Sequence, residues 1–149
     1  MLKSVDLETK LKDPSLLKKQ AYINGEWVGA KSGKTFPVYN PSTGEVIVDV
    51  PDMGVEDLQV AIDGAYKAQK LWAAKTGKDR AGILKKWNDL MVENADDLAI
   101  ILTAEMGKPL AEARGEIVYG ASFIEWFAEE AKRVYGETIP GHQPDKRIM

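Results

Sequence analysis

Apolar and polar positions alternate with a short period through the first third of the chain, then switch to a spacing of three to four. YINGEWV, residues 22–28, places Asn24-Gly25 between two short runs and predicts a tight hairpin. Thr35–Tyr39 and Glu45–Val50 read as a second pair of strands. The turn Asn40-Pro41-Ser42-Thr43-Gly44 joins them. Pro37 and Pro51 assign this pair to sheet edges or strand ends, because proline cannot donate to a ladder. Further upstream, Asp13-Pro14 reads as a helix start, with Leu16 and Leu17 as its apolar contacts.

Helical spacing begins at Val55. Leu58, Ala61, Ile62, Ala65 and Ala68 fall on one face, until Thr76-Gly77 breaks the pattern. Ile83, Leu84, Trp87, Leu90 and Met91 form a second stripe. Leu98, Ile101 and Leu102 carry a third as far as Gly107, a helix stop, with Asn94 expected to cap its start. Pro109 opens a last helix reaching about Arg133. At ~1.5 Å per residue this is a rod of roughly 37 Å. Its polar stripe is narrow: Ser122, Glu125, Glu129, Lys132 and Arg133. Ile117, Phe123, Ile124, Trp126, Phe127, Ala128 and Ala131 cover the rest. A helix so widely apolar packs against more than one neighbour. Two hairpins and three helices offer limited cover, so the chain is expected to oligomerise or to continue.

Composition narrows the function classes. The 149 residues suffice for one domain with a modest core. Net charge is -3 without a basic run, which argues against nucleic acid. No apolar stretch approaches a membrane span, and the N-terminus lacks the apolar centre of a secretory signal. A cytoplasmic location is expected. The chain has no cysteine, so it offers no thiol nucleophile and no thiolate metal ligand.

GAKSGKT, Gly29 to Thr35, looks like a phosphate-binding loop but is one residue short between its glycines, and the extended Phe36–Tyr39 follows instead of a helix. It reads as a polar connection. No Gly-x-Gly-x-x-Gly dinucleotide fingerprint occurs. His142, the single histidine, sits in the turn sequence GHQPD and reads as a solvated loop residue. Glu105 reads first as an exposed helix-end carboxylate and second as an oxygen ligand for a hard cation. Tyr119, Phe123 and Trp126 read first as core and second as the lining of a ligand cavity.

Four segments together resemble a known family. They are INGEWV (Ile23 to Val28), VYNPSTGEVI (Val38 to Ile47), EMGKPLAEARGEI (Glu105 to Ile117) and WFAEEAKRVYGETIPG (Trp126 to Gly141). In this order and spacing they resemble the N-terminal part of the aldehyde dehydrogenase superfamily, from about Ala21 to Met149. Residues 107–147 look most like bacterial succinate-semialdehyde dehydrogenases, and glutarate-semialdehyde dehydrogenases are similar.

The resemblance implies an α/β fold: β-hairpins, then a helical run packing on a Rossmann-like sheet. It assigns residues 1–133 to a cofactor-binding domain and 134–149 to the start of an oligomerisation hairpin, with Met149 in its second strand. The implied activity is oxidation of an aldehyde to an acid with NADP or NAD, here succinate semialdehyde to succinate in 4-aminobutanoate degradation. In that chemistry a cysteine captures the aldehyde, an asparagine and a backbone amide hold the oxyanion, and a glutamate activates water. None of those motifs lies in this chain, which is therefore expected to be a fragment, to carry no catalytic or cofactor-binding residue, and to be inactive alone. The alternative is a stand-alone, non-catalytic remnant that binds partners. The resemblance also implies a monovalent cation held by the Val38 and Tyr39 carbonyls with Glu105, a substrate tunnel passing Gly115, Tyr119 and Phe123, and a homo-oligomer, tetramer or dimer, in the complete enzyme.

Overall fold

The computed structural model describes residues 7–145 and 147–148. Strands β1 (Ala21–Ile23) and β2 (Glu26–Val28) pair antiparallel around Asn24-Gly25. Asn24 and Gly25 have φ of 55° and 88°, the left-handed pair that matches the twist of a two-residue hairpin. Strands β3 (Thr35–Tyr39) and β4 (Val46–Pro51) form a second hairpin. Glu45 stays in the turn, where its carbonyl accepts from the Asn40 N–H at 2.9 Å, so β4 starts one residue later than the pattern suggests. Val38 faces Val48 and Tyr39 faces Val46. Ile47 is the extra residue of this bulge, and its side chain is fully buried.

Four helices follow: α1 (Val55–Ala73), α2 (Gly77–Glu93), α3 (Ala95–Met106) and α4 (Leu110–Glu130). Thr76 opens α2, its hydroxyl accepting from the Asp79 N–H at 3.2 Å. Gly107 ends α3 with a left-handed φ of 79°. A third hairpin pairs β5 (Ile139–Pro140) with β6 (Arg147–Ile148). Lys146 and Met149, which the sequence assigns to the second strand of this hairpin, lie outside the described residues. Every strand among the described residues belongs to a two-stranded antiparallel sheet. The class is mixed α/β, and these residues contain no parallel sheet.

Leu7, Leu11 and Leu17 from the N-terminal segment meet Ile47 and Val48 of β4 and Ala104 of α3 in one core. Val38, Val50, Ile100 and Ile101 pack around it. The buried Asp97 carboxylate fastens this segment, accepting from the backbone N–H groups of Lys12 at 3.0 Å and Asp13 at 2.8 Å. The expected helix at Asp13-Pro14 is a single 3-10 turn, Pro14–Leu16, capped by Asp13. Asp57 ties the connection between the hairpins to the start of α1, accepting from the N–H groups of Lys31 and of Gly54, the residue before the helix. That connection runs straight into β3, in line with its reading as a link and not a phosphate loop.

Helix α4 packs on α2 and α3 through small residues. Ala113, Ala121 and Ala128 are its buried row, and Ala81 answers from α2. The Asn88 side-chain amide donates to the Ala121 carbonyl at 2.9 Å across this contact. A β-carbon on Gly77 would sit 2.4 Å from the Ala131 carbonyl oxygen, so glycine sets how closely the two helices approach.

Three expectations fail here. Asn94 stands at the N-cap position of α3 but makes no side-chain cap bond there. Its side-chain amide donates back to the Leu90 carbonyl at 2.8 Å and closes α2 instead. The stripe on α1 is not buried: Leu58 and Ile62 are exposed, and α1 touches the rest mainly through β1. The stripe on α2 divides. Leu84 and Met91 are half-buried, while Ile83, Trp87 and Leu90 are exposed.

Candidate functional site

The first candidate site is the corner where the β3–β4 turn meets the end of α3. Gly107 approaches Pro41 so closely that a β-carbon there would lie 3.0 Å from the proline ring. Val38 packs against the cluster that contains Ala104, the residue before Glu105. The strand bulge falls between Val38 and Tyr39. Glu105 is exposed as a residue, yet partial burial raises its carboxyl above the ordinary range, and no neighbouring charge among the described residues offsets this. Two oxygens on the elements that form this corner escape a reading of the sequence. Glu45 Oε2 and Thr103 Oγ1 are buried without a hydrogen-bond partner among the described residues. Glu45 belongs to the turn itself, and Thr103 lies two residues before Glu105. No group of three or more His, Cys, Asp or Glu gathers among the described residues. The elements that meet here carry carbonyl, hydroxyl and carboxylate oxygens, donor types that suit a hard cation and not a transition metal.

The second candidate site is a face of α4. Gly115, Tyr119 and Phe123 are four residues apart and fall on one row, and Trp126 lies beside it. The Tyr119 and Phe123 rings meet edge to face at 4.9 Å between centroids. Tyr119, Phe123 and Trp126 are 65%, 48% and 63% exposed, which overturns their reading as core. The reason is geometric. Helix α4 buries its alanine row against α2 and α3, and the aromatic row is on the opposite side. A β-carbon at Gly115 would meet nothing within 4 Å, so packing inside this chain does not call for the glycine. Ser122, Phe123, Glu125, Trp126, Phe127, Glu129 and Arg133 line an open groove along this face. His142 is exposed in its loop.

The Rossmann type of dinucleotide site joins a strand, a glycine-rich turn and a helix N-terminus in sequence. The antiparallel hairpins among the described residues do not form that unit. No helix among the described residues is long and apolar enough to cross a membrane.

The chain belongs to the aldehyde dehydrogenase family, whose model matches residues 27–149. It is 61% identical to a glutarate-semialdehyde dehydrogenase of Pseudomonas putida over 94% of its own length and 29% of the relative's. With the NADP(+) succinate-semialdehyde dehydrogenase of Escherichia coli it shares 56% identity over the same shares of both chains, 94% and 29%. A solved aldehyde dehydrogenase of Brucella melitensis biovar abortus superposes with a TM-score of 0.90 at 61% identity, covering 92% of this chain and 28% of that one. The chain thus spans less than a third of the length of the curated relatives it matches.

Proposed function

We propose that this chain serves as the N-terminal part of a cytoplasmic, oligomeric, NAD(P)-dependent aldehyde dehydrogenase that oxidises a short semialdehyde with a distal carboxylate. The observation that carries this reading is the identity of 61% and 56% to two semialdehyde dehydrogenases across 94% of the chain. Succinate semialdehyde, in 4-aminobutanoate degradation, is the first substrate. Glutarate semialdehyde is a second reading, favoured by the higher identity to the Pseudomonas enzyme.

Within that protein the chain's work is scaffolding. The nucleophile, oxyanion donors and water-activating carboxylate belong to the remainder, since this chain has no thiol to capture an aldehyde. The Val38 and Tyr39 carbonyls and Glu105 hold a monovalent cation. The raised carboxyl of Glu105 supports that assignment. Gly115, Tyr119 and Phe123 line the substrate entrance. The absent side chain at Gly115 leaves space for an aldehyde chain, and the two rings form an apolar wall for its methylenes. The β5–β6 hairpin starts the oligomerisation sheet.

The test joins residues 1–149 in frame to the remaining residues of the Pseudomonas enzyme. The chimera is expected to reduce NADP or NAD with either semialdehyde. Phe123→Ala in it should lower kcat/KM about tenfold, mainly through KM, since one lost apolar wall is worth about 1–3 kcal/mol. A folded, inactive chimera would contradict the reading.

A further inference from the structure

The chain has four asparagines, and three of them are tied down. The Asn40 carboxamide oxygen accepts from the Ser42 N–H at 2.9 Å. The Asn88 amide donates to the Ala121 carbonyl, and the Asn94 amide donates to the Leu90 carbonyl. Asn24 is exposed at the tip of the first hairpin, and its carboxamide has no hydrogen bond among the described residues.

What holds that carboxamide is a notch. A β-carbon on Gly64, midway along α1, would lie 1.6 Å from Asn24 Oδ1, 2.6 Å from its Cγ and 3.0 Å from its Nδ2. The carboxamide therefore occupies the space that any other residue at 64 would fill. Glycine inside a helix weakens it, and the hairpin contact offsets that loss. The contact matters because α1 meets the rest of the chain mainly through β1. The start of the helix is fixed separately, by the Asp57 carboxylate on the Lys31 and Gly54 N–H groups.

The same turn carries a reactive pair. Gly25 lies between the strands, outside their ladder, and has no side chain to shield its backbone nitrogen. We propose that Asn24 is a spontaneous modification site held in check by the Gly64 notch, and that its conversion to isoaspartate releases α1 from the first hairpin. Once the carboxamide swings off the notch, the Gly25 nitrogen attacks Asn24 Cγ. A carbon–nitrogen bond forms, ammonia leaves with the former backbone amide proton, and a succinimide ring remains. Water then opens either ring carbonyl. One product is aspartate. The other is isoaspartate, whose main chain runs through the former side chain and is one methylene longer. Water is the single co-reactant. A two-residue turn has no room for the added methylene, because its left-handed pair, at φ of 55° and 88°, sets the register of both strands. The helix stays attached at Asp57 and loses the contact at its middle. The inference is independent of the functional reading above.

The experiment ages the 149-residue chain in warm, mildly alkaline buffer. It follows intact mass, isoaspartyl-specific carboxyl methylation, and trypsin cleavage after Lys67 and Lys70 of α1. Asn24 is expected to convert before the other three asparagines, with the mass gain of an amide-to-acid exchange mapped to its peptide. Gly64→Ala fills the notch, so Asn24 in that variant should convert severalfold faster than in the parent. The parent unfolded in urea should do the same. Trypsin should cut α1 of the aged parent severalfold faster than α1 of the fresh protein. Asn24→Ser, which has no carboxamide to cyclise, should show no such change on ageing. Conversion of another asparagine first would overturn the site. Equal rates in the folded parent, in Gly64→Ala and in urea would overturn the notch as its gate. Conversion at Asn24 without faster cleavage of α1 would overturn the release.

Discussion

Asp97 stands at the third position of α3, where a carboxylate ordinarily turns back onto its own helix. Here it reaches across to the N–H groups of Lys12 and Asp13 and is nearly fully buried. Asp97→Ala strands both donors and should destabilise the chain by on the order of 3 kcal/mol, read as a lower urea midpoint. Asp97→Asn keeps one acceptor and should lose less. Glu105 makes the opposite case. Its folded pKa lies above the unfolded value, so the folded chain holds more protons between the two, and stability falls as pH rises through that interval. Glu105→Gln should match the parent below the carboxylate range. At neutral pH in choline chloride it should be the more stable by less than about 1 kcal/mol. A bound cation favours the ionised carboxylate, so replacing choline by potassium should raise the Tm of the parent and not of the variant. Equal responses would remove Glu105 from the cation site. The bond from Asp97 to the N-terminal segment was not legible in the sequence, and Glu105 was legible as a candidate cation ligand but not as a partly buried carboxyl. A helix-start aspartate and a helix-end glutamate look alike until the chain places backbone donors beside one and removes water from the other. Asn94 shows the same ambiguity: between two helices its side chain could serve either, and it bonds the Leu90 carbonyl.

Element type and order follow from local chemistry, which the sequence contains in full. Asn24-Gly25, Thr76 and Gly107 each do what their position predicts, and the period change at Val55 marks the first residue of α1. Which face an element buries depends on its neighbours. The stripes on α1 and α2 were correctly seen as apolar, yet much of their surface has no partner among these residues. The contact that α4 does make is through alanine and glycine, the weakest of hydrophobic signals. Two glycines on α2 test this contact. Gly77→Ala would force a β-carbon onto the Ala131 carbonyl and should cost about 1–3 kcal/mol, whereas Gly82→Ala meets open space and should stabilise the chain by roughly 0.5–1 kcal/mol. Thermal melts of both variants decide. A similar effect at the two sites would mean that the α2–α4 approach is looser than described.

As a whole molecule the chain has one small closed core and a surface rich in exposed aromatic and branched side chains, far more than a self-sufficient domain of this size keeps. The matched segment is under a third of its relatives' length. The four motifs made the family legible. The aldehyde was not, and relatives at 61% and 56% identity are named for different semialdehydes. The central claim is that this chain contributes structure and no bond chemistry to a semialdehyde oxidiser. The most direct test is a side-by-side assay of aldehyde-dependent NAD(P) reduction by the isolated 149-residue chain and by its in-frame chimera with the Pseudomonas remainder. The account predicts no turnover by the isolated chain and steady turnover by the chimera. Steady turnover by the purified isolated chain would contradict it.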